Sequence, residues 1–168
     1  MENNPFYMRL PRNGKEFVLF MVVISVISVN IIAPVITFYE AGVSWEVYTG
    51  VLQKLILIWP CVVATVLITY RPAGFLTSRI TQQGDGFRSC ITINILCTVF
   101  LMSIILTIVG AMIGNGCISS EPFEMFFYRW PHNFGISLGV ELLIAQPIAR
   151  KVLHRLHLRT DSGKTQAA

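Results

Sequence analysis

The chain has 168 residues, of which 54% are hydrophobic and only 13% are charged, and its formal net charge is +4. A soluble domain normally carries about 25% charged residues, so this chain lacks the polar side chains that would cover a solvated surface. Its apolar residues form long continuous runs, not the periodic stripe of a soluble helix. The composition therefore excludes most soluble proteins and predicts an all-α membrane protein.

The first two membrane spans are predicted in the N-terminal half. Residues 17–38 contain no charged side chain, and about 20 apolar residues suffice to cross a bilayer as a helix. The run is longer than the roughly 7 to 15 apolar residues of a signal peptide, and no small-residue cleavage site follows it. We therefore interpret it as a retained anchor. The second predicted span covers residues 47–70 and is interrupted near its start by Gln53 and Lys54.

Two more spans are predicted in the C-terminal half. Residues 89–114 lie in a stretch without charge between Arg88 and Glu121. The fourth predicted span, residues 126–148, is the least apolar of the four and carries Glu141 in its second half. Together these segments predict four transmembrane helices.

Basic and acidic connecting segments alternate along the chain. The segments at 39–46 and 115–124 contain no Lys or Arg and carry four glutamates, whereas the N-terminal flank, the middle loop and the tail are basic. Because Lys and Arg collect on the cytoplasmic side, this pattern predicts that both termini are cytoplasmic. The basic residues are Arg9, Arg12, Lys15, Arg71, Arg79, Arg88, Arg150, Lys151, Arg155, Arg159 and Lys164.

The two halves of the sequence also match each other weakly. A shift that places Glu46 on Glu121 also places Lys54 on Arg129, and both halves contain two predicted spans. We therefore predict two tandem helical hairpins as a parallel repeat, an arrangement known from membrane transporters. The predicted units are a first hairpin, a second hairpin and a disordered tail, at residues 1–80, 81–158 and 159–168.

Short proline motifs recur in the second helix of each predicted hairpin. The first hairpin contains Trp59-Pro60 and Arg71-Pro72-Ala73, and the second contains Trp130-Pro131 and Ala145-Gln146-Pro147-Ile148-Ala149-Arg150. Taken as a tandem pair, the chain resembles the domain-of-unknown-function 2798 family of small bacterial two-helix membrane proteins. The resemblance implies this architecture and a bacterial inner membrane. It implies no activity, because that family has none assigned.

Polar residues of the fourth segment repeat every four positions, at Arg129, Asn133, Ser137 and Glu141. A spacing of four drifts by only about 40° per step around a helix, so these residues form one polar stripe, with His132 near its outer end. An ionised carboxylate at the depth of Glu141 costs at least a few kcal/mol. It has to be paired, hydrated or protonated.

Two interpretations of Glu141 stay open. In the functional one, desolvation favours the neutral acid, which exchanges its proton for a cationic substrate. In the structural one, the neutral acid hydrogen-bonds to a neighbouring helix, with Asn94 or Thr98 as its partner. Lys54 and Arg129 likewise have two interpretations: they attract an anion or neutralise Glu141, or they extend to the outer headgroups.

Glycine pairs in the third and fourth segments have the spacing that lets helices approach closely. Packing within the chain is the first interpretation of Gly110, Gly114, Gly135 and Gly139, and self-association is the second. The sequence contains no metal-site spacing and no catalytic or nucleotide-binding motif, so neither an enzyme nor a cofactor is expected.

Two classes of function follow from the sequence. The first is a minimal proton-coupled transporter or exporter of a small molecule or cation, which we expect to be a homodimer because four helices barely enclose a site. Its expected site residues are Glu141, Ser137, Asn133, Arg129, His132 and Lys54. The second is a non-catalytic accessory module that packs with a partner membrane protein. The expected surroundings are the lipid bilayer, and nucleic acid is not expected.

Overall fold

The structure is a computed structural model that describes residues 13–82, 86–118 and 120–165. This part of the chain contains helices and short connections but no strand. Arg9 and Arg12 of the predicted basic flank, residues 83–85 and residues 166–168 lie outside it. The helices are α1 (Gly14–Ala41), α2 (Trp45–Ile80), α3 (Phe87–Asn115), α4 (Glu121–Glu124), α5 (Phe126–Val140) and α6 (Gln146–Thr165), with a π turn (Glu141–Ala145) between α5 and α6.

Three helices are long and apolar enough to cross a membrane, at Gly14–Ala41, Trp45–Ile80 and Arg88–Asn115. They confirm the first three predicted spans. The prediction of four transmembrane helices arranged as two hairpins is wrong, because the fourth segment is divided into α5, the π turn and α6. Charged residues dilute its apolar sequence, and no part of it reaches the length and apolar content of the other three helices.

Pro147 accounts for the division of this segment. Proline has no N–H, and its ring clashes with the carbonyl four residues earlier, here that of Leu143. The backbone widens before it, and the N–H of Gln146 donates to the carbonyl of Glu141, five residues earlier. Turns of this kind are rare and frequently occur at functional sites. In the part of the chain that the structure describes, the π turn therefore begins at Glu141.

The ends of two helices differ from the predicted ones. The Ser44 hydroxyl caps α2 by accepting the N–H of Val47 at 3.1 Å, and the helix continues to Ile80. The ten residues that follow the second predicted span, 71–80, are therefore helical. α6 continues to Thr165, into the segment predicted as a disordered tail.

The long helices pack in a cyclic order. α1 contacts α2 on one side and the rod formed by α5, the π turn and α6 on the other, and α3 contacts α2 and α5. The rod runs antiparallel to α1 along its length, since Arg129 Nε lies 3.9 Å from Glu40 Oε1 and His157 Nε2 lies 2.8 Å from Glu16 Oε2. Each helix therefore touches two neighbours around the bundle.

The two ends of the bundle carry opposite charge. We call one the basic end, where α1 begins and α2 ends, and the other the acidic end, where α1 ends and α2 begins. The basic end is defined by Lys15, Arg79, Arg88, Arg150, Lys151 and Arg155. The acidic end is defined by Glu40, Glu46, Glu121 and Glu124.

Two apolar clusters hold the helices together. One joins α1 to α2 and contains Val29, Val51, Leu55 and Val62. The other joins α1 to the rod through Ile24, Ala145 and Ala149. Buried positions then continue along the rod at every fourth residue, at Ala145, Ala149, Leu153 and His157, each at most 2% exposed. Small side chains next to the π turn let the rod lie close to α1.

Much of the remaining apolar surface points outward. On α2, Ile56 and Leu67 are 78% and 72% exposed, and they belong to a long series of exposed large apolar side chains. A water-soluble monomer rarely exposes so much contiguous apolar surface, whereas lipid accommodates it. With the three membrane-length helices, this surface is that of a multi-pass membrane protein.

The glycine pairs do not pack as expected. A side chain added at Gly110, Gly114, Gly135 or Gly139 would meet no atom of another described helix within 4 Å. The interpretation that these glycines bring helices of the same chain together is therefore wrong for the part of the chain that the structure describes. Open space lies beside each of these glycines in the described part of the chain.

Candidate functional site

Polar side chains join α1 to the rod at three levels, and we call this set the bridging seam. The levels are evenly spaced along α1 and are about 18 Å apart, because a helix rises 1.5 Å per residue. At each level α1 provides one side chain: Glu40 near the acidic end, Ser28 in the middle and Glu16 near the basic end. The pairs are Glu40 with Arg129, Ser28 with Glu141, and Glu16 with His157.

The middle level contains the carboxyl that the sequence singled out. The Ser28 hydroxyl donates to Glu141 Oε2 at 2.6 Å, and the Gln146 side-chain amide lies 3.4 Å from Oε1. Ser28 is only 9% exposed. Both oxygens of the carboxyl therefore face neutral donors in a largely buried setting.

The expected structural partners of Glu141 were wrong. Asn94 donates to the Thr77 hydroxyl at 3.2 Å, and Thr98 donates to the carbonyl of Asn94 at 2.8 Å. Both belong to α3, whereas the Glu141 side chain faces α1. The spacing of four drifts around α5 far enough to change the neighbour that the polar stripe meets.

The remaining residues of the stripe show where that change occurs. Asn133 is buried and lies 3.3 Å from the Thr107 hydroxyl of α3, to which its amide donates. Ser137 is half-buried, and its carbonyl accepts the backbone N–H of Glu141. The stripe therefore begins against α3 and ends against α1, so its members do not assemble into one site.

Arg129 and Lys54, the two basic residues predicted for the site, bind groups at the acidic end of the bundle. Arg129 donates to Glu121 Oε1 at 2.6 Å, and Asn115 donates to the other oxygen of that carboxylate at 2.8 Å. The Lys54 ammonium donates to the carbonyl of Gly114, at the end of α3. Neither side chain reaches Glu141, so the carboxyl is not neutralised by them.

A cavity of about 400 Å³ opens beside Arg129, and we call it the acidic-end pocket. Within it the His132 ring stacks on Tyr39, with ring centres 5.1 Å apart, and its Nδ1 lies 3.0 Å from the carbonyl oxygen of Tyr128. The pocket is lined by Tyr39, Glu40, Met125, Tyr128, Arg129, His132 and Asn133. His132 and Arg129 thus share a site, but that site is separate from Glu141.

A second cavity of about 290 Å³ lies towards the basic end, and we call it the basic-end pocket. The Gln146 side chain connects it to the carboxyl, because Gln146 contacts Glu141 and also accepts from Arg150 Nη2 at 3.4 Å. The pocket is lined by Thr92, Ile95, Leu142, Gln146, Pro147, Arg150 and Lys151. Glu141 lines neither pocket, but along the rod it lies between the residues that line the acidic-end pocket and those that line the basic-end pocket.

Comparison with known proteins indicates no function for this chain, so its function has to be inferred from the site. No protein-family model, curated protein or solved structure matches this chain. The resemblance to the family of two-helix membrane proteins therefore stays a prediction. In the part of the chain that the structure describes, no group of three or more His, Cys, Asp or Glu side chains could hold a metal ion.

Sequence reasoning missed Ser28, Gln146 and the π turn. The signal for Gln146 and the turn was present in Pro147, since a proline after a polar residue predicts a local break in the helix. Ser28 carried a weaker signal, as one of few hydroxyls in a charge-free span. Which helix faces Glu141 depends on packing that one sequence does not specify.

Proposed function

We propose that the protein is a small proton-coupled membrane transporter in which Glu141 carries the proton. The observation behind this proposal is the position of that carboxyl: it lies at a π turn and contacts Ser28 in the middle of a membrane-length helix. Pockets lie on either side of it along the rod. A carboxyl between two pockets has the position that alternating access requires.

The chemistry of exchange follows from the neutral surroundings of the carboxyl. Its described hydrogen bonds come from the Ser28 hydroxyl and the Gln146 amide, neither of which carries charge. An ionised carboxylate in an apolar setting is costly unless a cation accompanies it. A proton and a cationic substrate each remove that cost, and they compete for the same oxygens. Binding of one therefore favours release of the other.

The π turn supplies a means of changing access. If its extra residue is absorbed into a regular helix, the residues on either side rotate against each other by about 100°, the angle of one helical residue. Glu141 would then turn away from Ser28 and face a different side of the rod. A two-state turn of this kind is a local switch to which proton binding can couple.

The Glu141→Gln variant tests this function. We expect it to fold normally, because an amide can keep the contacts to Ser28 and Gln146, and to lose proton-coupled flux, because it cannot release a proton. The measurement is the dissipation of a pH gradient in proteoliposomes by a panel of small organic cations. Glu124→Gln is the control, since it removes an exposed acid at the acidic end. Equal flux in wild type and Glu141→Gln would overturn the proposal.

A second candidate is an accessory module that packs with a partner membrane protein. The glycines of α5 favour it, because the open space beside Gly135 and Gly139 can let another helix approach closely. This candidate expects no flux from the wild-type protein with any cation, and a helix of a second protein cross-linked at the glycine face. Cross-linking to a second copy of this chain would instead agree with a dimeric transporter.

We further propose a location in the bacterial inner membrane, with the basic end in the cytoplasm. Lys and Arg collect on the cytoplasmic side of membrane proteins, and they define one end of this bundle. Glu16 near the start of α1 and His157 of α6 are in contact, so both belong to that end. The bacterial assignment rests on the family resemblance.

A further inference from the structure

The basic-end pocket has a lining whose chemistry is not explained by proton transport. Two of its side chains, Arg150 and Lys151, are cationic, and among the residues that the structure describes none of those lining the pocket is a carboxylate. We propose that this pocket binds the phosphate group of an anionic ligand. The proposal goes beyond the transport function and does not depend on it.

The polar side of the pocket matches the oxygens of a phosphate. Arg150 presents a planar guanidinium with five N–H donors, which can bind a phosphate oxygen in addition to its existing partners, and Lys151 adds a second positive charge. Gln146 holds the guanidinium at 3.4 Å through its side-chain oxygen, so the arginine is oriented along the pocket wall. Consecutive residues on α6 thus bring two charges to one cavity.

The apolar side of the pocket favours a lipid as the source of the phosphate. Ile95, Leu142 and Pro147 form this side, and they come from α3, the π turn and α6. A volume of about 290 Å³ holds a headgroup and the start of an acyl chain. Basic pockets between helices near the cytoplasmic surface are the usual sites for anionic headgroups. A free phosphate would use the charges but not the apolar wall.

The test is equilibrium binding to the full-length protein, purified in detergent and freed of lipid. Dioleoylphosphatidylglycerol is titrated and the bound lipid is counted by native mass spectrometry, with dioleoylphosphatidylcholine as the zwitterionic comparison. We expect the double variant Arg150→Gln, Lys151→Gln to weaken phosphatidylglycerol binding about thirtyfold, since each basic residue near an anionic headgroup contributes roughly fivefold.

A matched control separates the pocket from general charge. Arg79→Gln, Arg155→Gln removes the same number of charges from exposed positions at the same end of the bundle, outside the pocket lining. It should change binding by less than about threefold. Because Lys151 is exposed, Lys151→Gln alone keeps the test available if the double variant does not fold.

The outcomes are distinct. Inorganic phosphate that displaces phosphatidylglycerol at low millimolar concentration, and whose binding needs Arg150 and Lys151, identifies free phosphate as the ligand. Phosphatidylglycerol binding that phosphate does not displace identifies the lipid. Equal losses in the pocket variant and its control, or binding that is independent of both pocket residues, overturn the proposal. None of these measurements uses flux, so they do not depend on the fate of the transport proposal.

Discussion

The Ser28 hydroxyl is the smallest group on which the proposed site depends. It lies on α1, donates to Glu141 at 2.6 Å and is the contact that ties the carboxyl to another helix. Gln146 lies five residues after the acid and cannot supply such a tie, because it belongs to the same rod. Among the described contacts, this hydroxyl is therefore the side-chain link between the carboxyl and another helix.

Replacing this hydroxyl tests the contact directly. Ser28→Ala should lower the free energy of unfolding by about 1 kcal/mol, because a buried acceptor loses its donor while partners in the membrane offset part of the loss. The measurement is thermal unfolding in detergent. Ser78→Ala is the control, since Ser78 is exposed and bonds only within its own helix. A Ser28→Ala protein as stable as the control would contradict the assigned contact.

At the level of single residues, the sequence identified Glu141 but not its surroundings. An acid within an apolar segment is conspicuous on energetic grounds alone, so no structure is needed to single it out. Its partner depends on which face of α5 meets which helix, and a drift of about 40° per four residues is enough to change the answer. Asn94 and Thr98 were reasonable candidates on the wrong helix.

Among the elements, the rod of α5, the π turn and α6 differs most from expectation. A hydropathy pattern measures the average over a long window, so it predicts the spans in α1, α2 and α3 correctly. It does not reveal that charges and a proline divide the fourth segment. The same pattern ends α2 too early, because the residues that continue it are too polar to resemble a span. Helical structure and membrane-spanning composition are therefore different properties of this chain.

Pro147 gives a prediction at this scale. Pro147→Ala restores an N–H and removes the ring, so the π turn should revert to a regular helix and rotate α6 against α1. A cysteine placed at Ala149, which is 1% exposed, should then react faster with a maleimide, in a background without the native cysteines. Pro72→Ala is the matched control, because Pro72 lies inside α2 without a π turn. An unchanged labelling rate would show that the proline does not maintain the turn.

At the scale of the whole molecule, charge is separated between the two ends. The sequence predicts which connecting segments are basic and which are acidic. Helix packing brings the basic segments to one end of the bundle and the acidic segments to the other. The sequence indicated this separation because it depends only on where the chain reverses direction. It could not indicate the cyclic order of the helices, which depends on how side chains fit between α1, α2, α3 and the rod.

Orientation in the membrane gives the prediction at this scale. Cys117 is exposed beyond the end of α3, at the acidic end, and should react with an impermeant maleimide added outside intact spheroplasts. A cysteine introduced at Gly86, at the other end of α3, should react only after permeabilisation. Buried Cys97 serves as the unreactive control. Labelling of position 86 from outside and of Cys117 only from inside would reverse the orientation.

The buried series along the rod, which begins at Ala145 and Ala149, has a mechanical consequence. These alanines lie close to α1 beside the π turn, and α6 extends 20 residues beyond the turn, which is about 30 Å of helix. A change of angle of about 10° at the turn would displace the far end of such a helix by roughly 5 Å. The contact between His157 and Glu16 lies about 18 Å from the turn, just over halfway along α6. The same change of about 10° would move His157 by roughly 3 Å, which is enough to break a hydrogen bond, so this contact restrains the angle at the turn.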